Sequence, residues 1–380
     1  MQSFRILHCL RAPVGGLFRH VCDLATEQTR LGHDVGILCD TTTSDGLTDT
    51  KLSELADVCS LGVHKTPMSR LVGHRDPLAL RFATALAREG RFDVLHGHGA
   101  KGGVYARMAS RINRRHGLDA HSFYTPHGGT LNYRPGSLAS RIFLNVEQRL
   151  LPMTDGLCFE SQFACNRFHE IVGTPRCAYA VIPNGVRPSE FTPHLPHEDA
   201  ADFVFLGELR HVKGIDLLVE AIARLKSSHN ATACVVGDGP FRDELVARAD
   251  VLGVGENLSF PGAMPAASAF RRGRIFVLPS RNESFPYVVL EAGAQGIPAL
   301  MSNVGGIAEI TSPGDPFLME ADNVDVLTEA MRNALDHPDA LHRRTVELTE
   351  RIRTRFSTAG MAEEIVDVYR SLRTKTAIAA

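Results

Sequence analysis

Two carboxylates eight positions apart carry the most chemistry in this chain. Glu283 and Glu291 lie in PSRNESFPYVVLEAGAQGIP (279–298), which reads as a strand end, a loop and a helix that Pro286 can open. Glu283 belongs to the loop at the helix mouth. Glu291 falls about five residues into the helix, roughly 7–8 Å along its axis. The first turn of such a helix offers free backbone N–H groups and a partial positive charge, which suits a phosphate. A carboxylate faces neutral hydroxyls far better than it faces phosphate. The pair therefore implies sugar hydroxyls at the two ends of a diphosphate, set against the plainer reading of surface Glu residues and an N-capping loop.

Glycines and histidines elsewhere add to this. Gly15 and Gly16 follow the first strand and open a helix (RAPVGGLFRHV, 11–21), where a glycine pair lets backbone approach an anion closely. GDGP (237–240) ends another strand but fails as a dinucleotide fingerprint, because Arg242 stands where the third glycine would be. It and FPGAMP (260–265) are also readable as tight turns. His96 and His98, in HGHGAKGG (96–103), have a spacing that could suggest a metal. A zinc site needs three or four ligands and no third matching motif is visible. They read otherwise as loop histidines that hydrogen-bond a ligand or the backbone, and no metal is expected.

What must position these residues is an alternation of short β-branched runs with amphipathic stretches, which implies βα units and parallel sheets. Strands are expected at 4–10, 34–39, 58–63, 93–96, 121–126, 155–159 and 179–183, then at 202–208, 231–238 and 274–280. Leu17, Val21, Leu24 and Leu31 fall on one face of the first helix, with Gly32 at its stop, and Pro77 opens another helix. Further helices start near Lys213, Pro240 and Pro265, and MAEEIVDVYRSL (361–372) forms a last one. PSEFTPHLPHEDA (188–200), with three Pro and no apolar periodicity, reads as a linker. The expected fold is α/β, two Rossmann-like doubly wound domains facing each other across an interdomain cleft, with ligands at the carboxyl ends of the strands.

The segment at 279–298 resembles the E-x7-E signature of retaining family-4 glycosyltransferases with the GT-B fold. By motif position the resemblance gives Glu283 a contact with the donor sugar and Glu291 the ribose hydroxyls. It places backbone amides of Phe285, Tyr287 and Val288 at the sugar and diphosphate. LGELRHVKGIDLLVEA (206–221) resembles the family's phosphate-binding strand–loop–helix, so Arg210 and Lys213 are implied as the cations that neutralise the leaving diphosphate. In many members the Arg directly follows the Gly of this strand; here Glu208 holds that place. The family's GxGP stretch lines the nucleotide side, and its short loop edging the base falls on Gly262, Ala263 and Met264. VGGIAEI (304–310) is covered by the resemblance and is assigned packing near the site. RAPVGGLFRHV resembles the family's GG-x-x-x-H entry, which puts Gly15 and Gly16 near the diphosphate and acceptor and His20 one turn further on. TPHGG (125–129) resembles the stretch whose histidine lies near the reacting centre, implying His127 as a sugar or transition-state contact; His98 and Lys101 are weaker candidates for the acceptor. VIPNGV (181–186) and TDGLCFES (154–161) extend the likeness over nearly the full chain.

The resemblance implies an acceptor-side domain at 1–190, a nucleotide-sugar domain at 191–357 and a terminal helix at 358–380 that packs back on the first. It implies transfer from a nucleoside-diphosphate sugar to an acceptor hydroxyl with retention, without a metal or other cofactor, since no Asp-x-Asp motif is present. Uridine is the first expectation for the base and guanosine the second. The acceptor is expected to be a glycan or lipid-linked oligosaccharide for a surface polysaccharide. A GT-B nucleotide-sugar epimerase and a non-catalytic nucleotide-sugar-binding subunit are the rival readings.

Composition agrees with a globular chain. At roughly 150 residues per domain, 380 residues make two or three domains. A 44% hydrophobic content excludes general disorder. Eight Cys without a C-x-x-C pair exclude a disulfide scaffold and read as reduced, buried thiols in a cytoplasmic protein. No apolar run approaches the ~18–20 residues of a membrane span, and FRILHCL (4–10) is too interrupted by Arg5 and His8 for a signal-peptide core. A net charge of −2 argues against a nucleic-acid partner. It hides a net +5 over residues 1–190 (22 basic, 17 acidic) and −7 over the rest (19 and 26). The basic stretch at 104–117, with Arg107, Arg111, Arg114 and Arg115, and Arg141 and Arg149 beyond it, reads as a solvated face or as one that meets an anionic membrane surface.

Overall fold

A computed structural model describes residues 3–42, 46–69, 73–128, 138–312, 314–315 and 318–379. The chain divides into two compact units, one of residues 1–184 with 358–380 and one of 185–357. The first runs β1 (Arg5–Leu10), α1 (Gly15–Arg30), β2 (Asp34–Asp40), α2 (Gly46–Val58), β3 (Val63–Thr66), α3 (Asp76–Glu89), β4 (Val94–His98), α4 (Gly99–Arg115), β5 (His121–Thr125), α5 (Leu138–Leu150), β6 (Gly156–Phe159), α6 (Gln162–Ile171) and β7 (Ala178–Val181). The second runs β8 (Ala201–Leu206), α7 (Ile215–His229), β9 (Ala233–Val236), α8 (Arg242–Val251), β10 (Leu258–Gly262), α9 (Ala266–Phe270), β11 (Gly273–Leu278), α10 (Tyr287–Ala294), β12 (Ala299–Ser302), α11 (Ile307–Ile310), β13 (Leu318–Met319), α12 (Val324–Asp336) and α13 (Pro338–Arg355). A last helix, α14 (Thr358–Ala379), belongs to the first unit.

Each unit is built on a parallel sheet. The first has the order β3-β2-β1-β4-β5-β6-β7 and the second β10-β9-β8-β11-β12-β13. The order reverses between β1 and β4 in one and between β8 and β11 in the other, the crevices where such sheets take ligands. Strands covered on both faces read as continuous apolar runs. Leu7 and Cys9 of β1 pack with Ala79, Ala83, Tyr105 and Ala109 on one face. Ile6 packs with Leu24, Val94 and Phe123 on the other, under Met361, Ile365, Val366 and Tyr369 of α14. The second unit has one core, in which Phe203, Phe205, Ile222, Phe276 and Leu290 are fully buried. Residues 188–200 run along this unit, His194 N donating to Gln295 O (2.8 Å) and His197 N to Arg271 O (2.9 Å). No helix among the described residues is long and apolar enough to cross a membrane.

Several local expectations are corrected. The strand expected at 58–63 is displaced to Val63–Thr66, because Leu52, Leu55 and Cys59 bury a helical face against Val35 and Ile37 and α2 runs on to Val58. Leu31 is not on the buried face of α1; it follows the helix and stays exposed, while polar His20 and Gln28 are buried instead. β10, β12 and β13 had no strand signal strong enough to read. β10 carries Pro261, which an edge strand tolerates.

Arg107 is the largest correction. It is not part of a basic surface but fully buried, donating to Glu147 Oε2 (2.9 Å) and Gly103 O (2.8 Å), with its guanidinium 4.1 Å from the Tyr124 ring centre. It shares the sheet-facing side of α4 with Gly103, Ala106 and Ser110, so its head cannot reach water and must be paired. Arg114 pairs with Asp155 (3.0 Å), leaving Arg111, Arg115, Arg141 and Arg149 exposed. Arg107→Ala is expected to destabilise the fold by about 3–5 kcal/mol in urea unfolding, because Glu147 stays buried without its cation, whereas Arg107→Met combined with Glu147→Leu recovers most of that loss. Equal stabilities of the single and double variants would contradict this account.

Candidate active site

The β11–α10 loop is held from two sides. Arg281 forks onto Asp216 in the first turn of α7 (2.8 and 2.7 Å) and also reaches Asp322 (2.6 Å) and His211 O (2.6 Å). The bond to Asp216 foremost, and then that to Asp322, raise its pKa against the opposing effect of burial. Glu283, only 8% exposed, accepts from Lys213 Nζ (2.6 Å) and Ser280 Oγ (2.7 Å) on the same Oε1. A nearly buried carboxylate is therefore matched by one cation and one hydroxyl.

Two glycines make this approach possible. Gly214 closes the turn at 211–213 in the left-handed region (φ +66), and a Cβ there would lie 2.0 Å from Pro279 O. The β8–α7 loop can thus lie against the β11 exit and deliver Lys213 to Glu283. Behind Glu283, Gly305 (φ +58) would place a Cβ 1.6 Å from its carbonyl oxygen, and Gly306 N donates to Ser284 O (2.8 Å). The VGGIAEI turn supports the backbone of the loop.

α10 starts at Tyr287 without a side-chain cap on its N-terminus. The side chains of Phe285 and Tyr287 are buried in the core and Val288 is half-buried, so what these residues present to a ligand is backbone. Glu291 is half-buried, one turn after Tyr287. Gly262 ends β10, Ala263 is exposed and Met264 packs partly on the core. Arg210 is exposed and lies 3.5 Å from Glu208. The carboxyl ends of β8, β9, β10 and β11 thus bring these residues to one edge of the second sheet.

The first unit holds a second constellation, of imidazoles. His96 and His98 are not loop residues. They end β4, and their two-residue spacing puts both on one face of the sheet. Register sets His96 beside His8 of β1 and Thr125 of β5 beside His98. Against this face α1 turns His20, Leu24 and Gln28, four residues apart. The histidines that seemed to lack a third partner find it in His8 and His127, which only the strand order brings in.

The rings are linked throughout. His127 Nε2 lies 3.0 Å from His98 Nδ1, His98 Nε2 2.9 Å from His8 Nδ1, and His8 Nε2 2.8 Å from Gln28 Oε1. His96 meets Tyr369 Oη (2.6 Å) and Thr125 Oγ1 (2.9 Å), and His20 Nδ1 meets Asn184 Oδ1 (2.9 Å). Glu160, just after β6, contacts His127 Nδ1 at 2.7 Å. Burial lowers His8 to about 4, against the Gln28 hydrogen bond, and holds His20, His96 and His98 well below 6.5, where the neighbouring rings add to the shift. Two triplets, His8/His96/His98 and His20/His98/His127, have ring nitrogens within 4.8 Å of one another, a spacing a metal ion could bridge. Gly15 and Gly16 are exposed at the start of α1, also without a side-chain cap. Lys101, expected near an acceptor, is engaged by Asp76, which also accepts from Tyr105 Oη (2.6 Å). His8, Glu160, Asn184, Arg281 and Tyr369 lie in segments quoted above (FRILHCL, TDGLCFES, VIPNGV, PSRNESFPYVVLEAGAQGIP and MAEEIVDVYRSL) but are given no role of their own there, and Gln28 lies in none of them.

This chain belongs to the family-4 glycosyltransferases of GT-B fold. Residues 14–190 match the model Glycosyltransferase Family 4, and residues 186–352 match Glycosyl transferases group 1. A glycogen synthase of Mycobacterium tuberculosis (strain CDC 1551 / Oshkosh) is 28% identical over 382 residues, covering 94% of this chain and 91% of its own. A D-inositol 3-phosphate glycosyltransferase of Acidothermus cellulolyticus is 26% identical, covering 80% and 74%. Among solved structures, Anabaena Alr3699/HepE in complex with UDP-glucose superimposes with a TM-score of 0.80 at 19% identity, over 97% of this chain and 100% of its own.

The buried neutral histidines make stability depend on pH. His8 binds a proton near 6.5 when unfolded and only near 4 when folded. Its contribution is therefore full above pH 6.5 and lost as pH falls from 6.5 toward 4, on the order of 3 kcal/mol in all. The urea midpoint is expected to fall between about pH 7.5 and about pH 5, and to fall less in His8→Asn. A midpoint that rises on acidification contradicts the assignment.

Proposed function

We propose that this glycosyltransferase moves a sugar from a nucleoside-diphosphate sugar to an acceptor hydroxyl with retained configuration. The observation that carries the reading is the Lys213–Glu283 pair at the β8/β11 switch point, beside the uncapped N-terminus of α10. Glu283 faces the hydroxyls of the transferred sugar and Glu291 those of the ribose. The amides of Phe285, Tyr287 and Val288 face the sugar and diphosphate, and Gly262, Ala263 and Met264 edge the base. The bond from the anomeric carbon to the phosphate oxygen breaks as the acceptor oxygen bonds to that carbon. The acceptor's proton passes to the leaving phosphate, so no separate base is required. Lys213 and Arg210 offset the charge that builds on the diphosphate. That work is done by side chains, Lys213 held in place by Glu283 and Arg210 from the surface, and the transfer is proposed to need no metal. UDP is the proposed donor nucleotide, supported by the UDP-glucose held by the similar Anabaena structure. On the first unit, Gly15, Gly16 and His127 serve the diphosphate, acceptor and reacting centre, with His98 and Lys101 at the acceptor side. Exposed Arg111, Arg115, Arg141 and Arg149 support a cytoplasmic enzyme peripheral on an anionic membrane, acting on a lipid-linked or growing surface glycan.

Thermal shift with UDP, GDP, ADP and their sugar conjugates, in excess EDTA, tests the donor. One nucleotide family should raise Tm; a folded chain that responds to none refutes the reading. Lys213→Ala and Glu283→Ala are each expected to lower kcat by about 10²–10³-fold, whereas Glu291→Ala should act mainly on KM, by about tenfold. Turnover untouched by Glu283→Ala would remove it from the site.

A further inference from the structure

The line of linked imidazoles in the first unit leaves three ring nitrogens close together. His20, His98 and His127 each offer one nitrogen, all within 4.8 Å of one another. Their opposite nitrogens are taken. His20 Nδ1 lies 2.9 Å from Asn184 Oδ1, and His127 Nδ1 lies 2.7 Å from Glu160 Oε2. His98 Nε2 lies 2.9 Å from His8 Nδ1, and His8 Nε2 lies 2.8 Å from Gln28 Oε1. What remains is Nε2 of His20, Nδ1 of His98 and Nε2 of His127. The last two stand 3.0 Å apart, and His20 Nε2 is buried with no hydrogen-bond partner. Imidazoles that bind a metal are held in this way, one nitrogen on the ion and the other against a carboxylate or another polar group.

Distance, charge and shielding all fit such an ion. A tetrahedral zinc site places its nitrogens about 2.0–2.1 Å from the metal and hence roughly 3.3 Å from each other. The His98–His127 separation is already close to that. A buried divalent ion needs negative charge nearby, and the Glu160 carboxylate, itself buried, stands directly behind His127. His20 and His98 are buried and the His127 side chain is only 6% exposed, so the position is screened from solvent. The three rings sit on α1, at the end of β4 and beyond β5, on elements whose places are set by sheet pairing and packing. The other triplet, His8/His96/His98, has no nitrogen to spare. His96 is engaged by Tyr369 Oη (2.6 Å) and Thr125 Oγ1 (2.9 Å), and both nitrogens of His8 are taken by His98 and Gln28.

We infer that His20, His98 and His127 form a binding site for one divalent transition-metal ion of the Zn2+ class, with Glu160, Asn184 and His8 as positioning residues. Nitrogen ligands select that class, since Mg2+ and Ca2+ are held by oxygen. Three imidazoles leave the fourth position of the ion to water or another small ligand. The ion is not a requirement of the proposed transfer. It takes the nitrogen of His127 that points away from Glu160 and so withdraws that ring from the sugar, which makes occupation inhibitory. The inhibition rests on the place proposed for His127 at the reacting centre; the site itself does not.

Zn2+ titration of the full, tag-free chain, stripped with EDTA and dialysed, against a chromophoric zinc indicator tests the site. The unaltered chain should take up one equivalent of Zn2+ at micromolar protein, and Co2+ in its place should show the intense visible absorption of a four-coordinate ion. His20→Ala should lose that equivalent, Glu160→Gln should weaken it by about tenfold, and His96→Gln should keep it. No stoichiometric uptake by the unaltered chain overturns the inference, and so does uptake that survives in His20→Ala. Uptake lost in a folded His96→Gln chain overturns the choice of triplet. If the variants fail to fold, the unaltered chain's uptake and its Co2+ spectrum decide. Saturating Zn2+ should lower turnover and EDTA should restore it; full turnover with the ion bound overturns the inhibitory role. Failure of the donor reading appears instead in the nucleotide thermal shifts, run in EDTA, and leaves the Zn2+ uptake untouched.

Discussion

Parallel strands cannot turn back directly on one another; each must be followed by a crossover that returns the chain to the starting edge. Every strand of a parallel sheet therefore ends on the same edge, and the loops that follow are gathered there regardless of their distance in sequence. This constraint brings Lys213, after β8, to Glu283, after β11, across 70 positions. It also gathers His98 at the end of β4, His127 after β5 and Glu160 after β6. Where the strand order reverses, the two loops diverge to opposite faces and leave room for a ligand. Both motif-bearing loops of the second unit flank such a point.

The imidazole line is a consequence of two periods meeting. A strand repeats every two residues, so His96 and His98 share a face, and register adds His8. A helix repeats at three to four, so His20, Leu24 and Gln28 share the face of α1 that covers them. Polar groups placed there are out of reach of water, and each one needs a partner. The result is an array with few alternatives, because any ring left unpaired would carry the full cost of its desolvation. Cys9 and the apolar residues on the other side of β1 face no such demand, and their positions are set by packing alone.

How far the sequence could be read follows the same physics. βα alternation, the helix that opens after Pro286 and the Glu283–Glu291 spacing are local patterns, and they were legible. The turn glycines were legible as glycines, but that Gly214 meets Pro279 and Gly305 meets Glu283 depends on contacts between distant loops. Arg107 misled because a helix facing a sheet through Gly103 and Ala106 looks basic in sequence while one of its arginines points inward. His8 lies in a stretch legible as a strand and Glu160 in the TDGLCFES stretch, without a sign in either of a role for the side chain. Each acquires its contacts only from strand neighbours. α2 was misplaced because its burying face, Leu52, Leu55 and Cys59, ends next to a β-branched run.

The pairing of Lys213 with Glu283 bears on which cation serves a diphosphate. Arg210 is about half exposed, and its contact with Glu208 at 3.5 Å is a surface pair that water and salt screen. A long side chain of that kind must lose rotamer freedom when it binds. Lys213 has already lost most of it: its ammonium is held at 2.6 Å by a carboxylate that Ser280 also holds, on loops fixed by Arg281 and by the close approach at Gly214. An arriving anion would meet a charge already in position, which lowers the entropic cost of binding it. Sharing that ammonium weakens its hold on Glu283, yet the Ser280 hydroxyl remains on the same oxygen and keeps the carboxylate satisfied. A site built in this way assigns the fixed charge to Lys213 and leaves Arg210 free to follow the ligand.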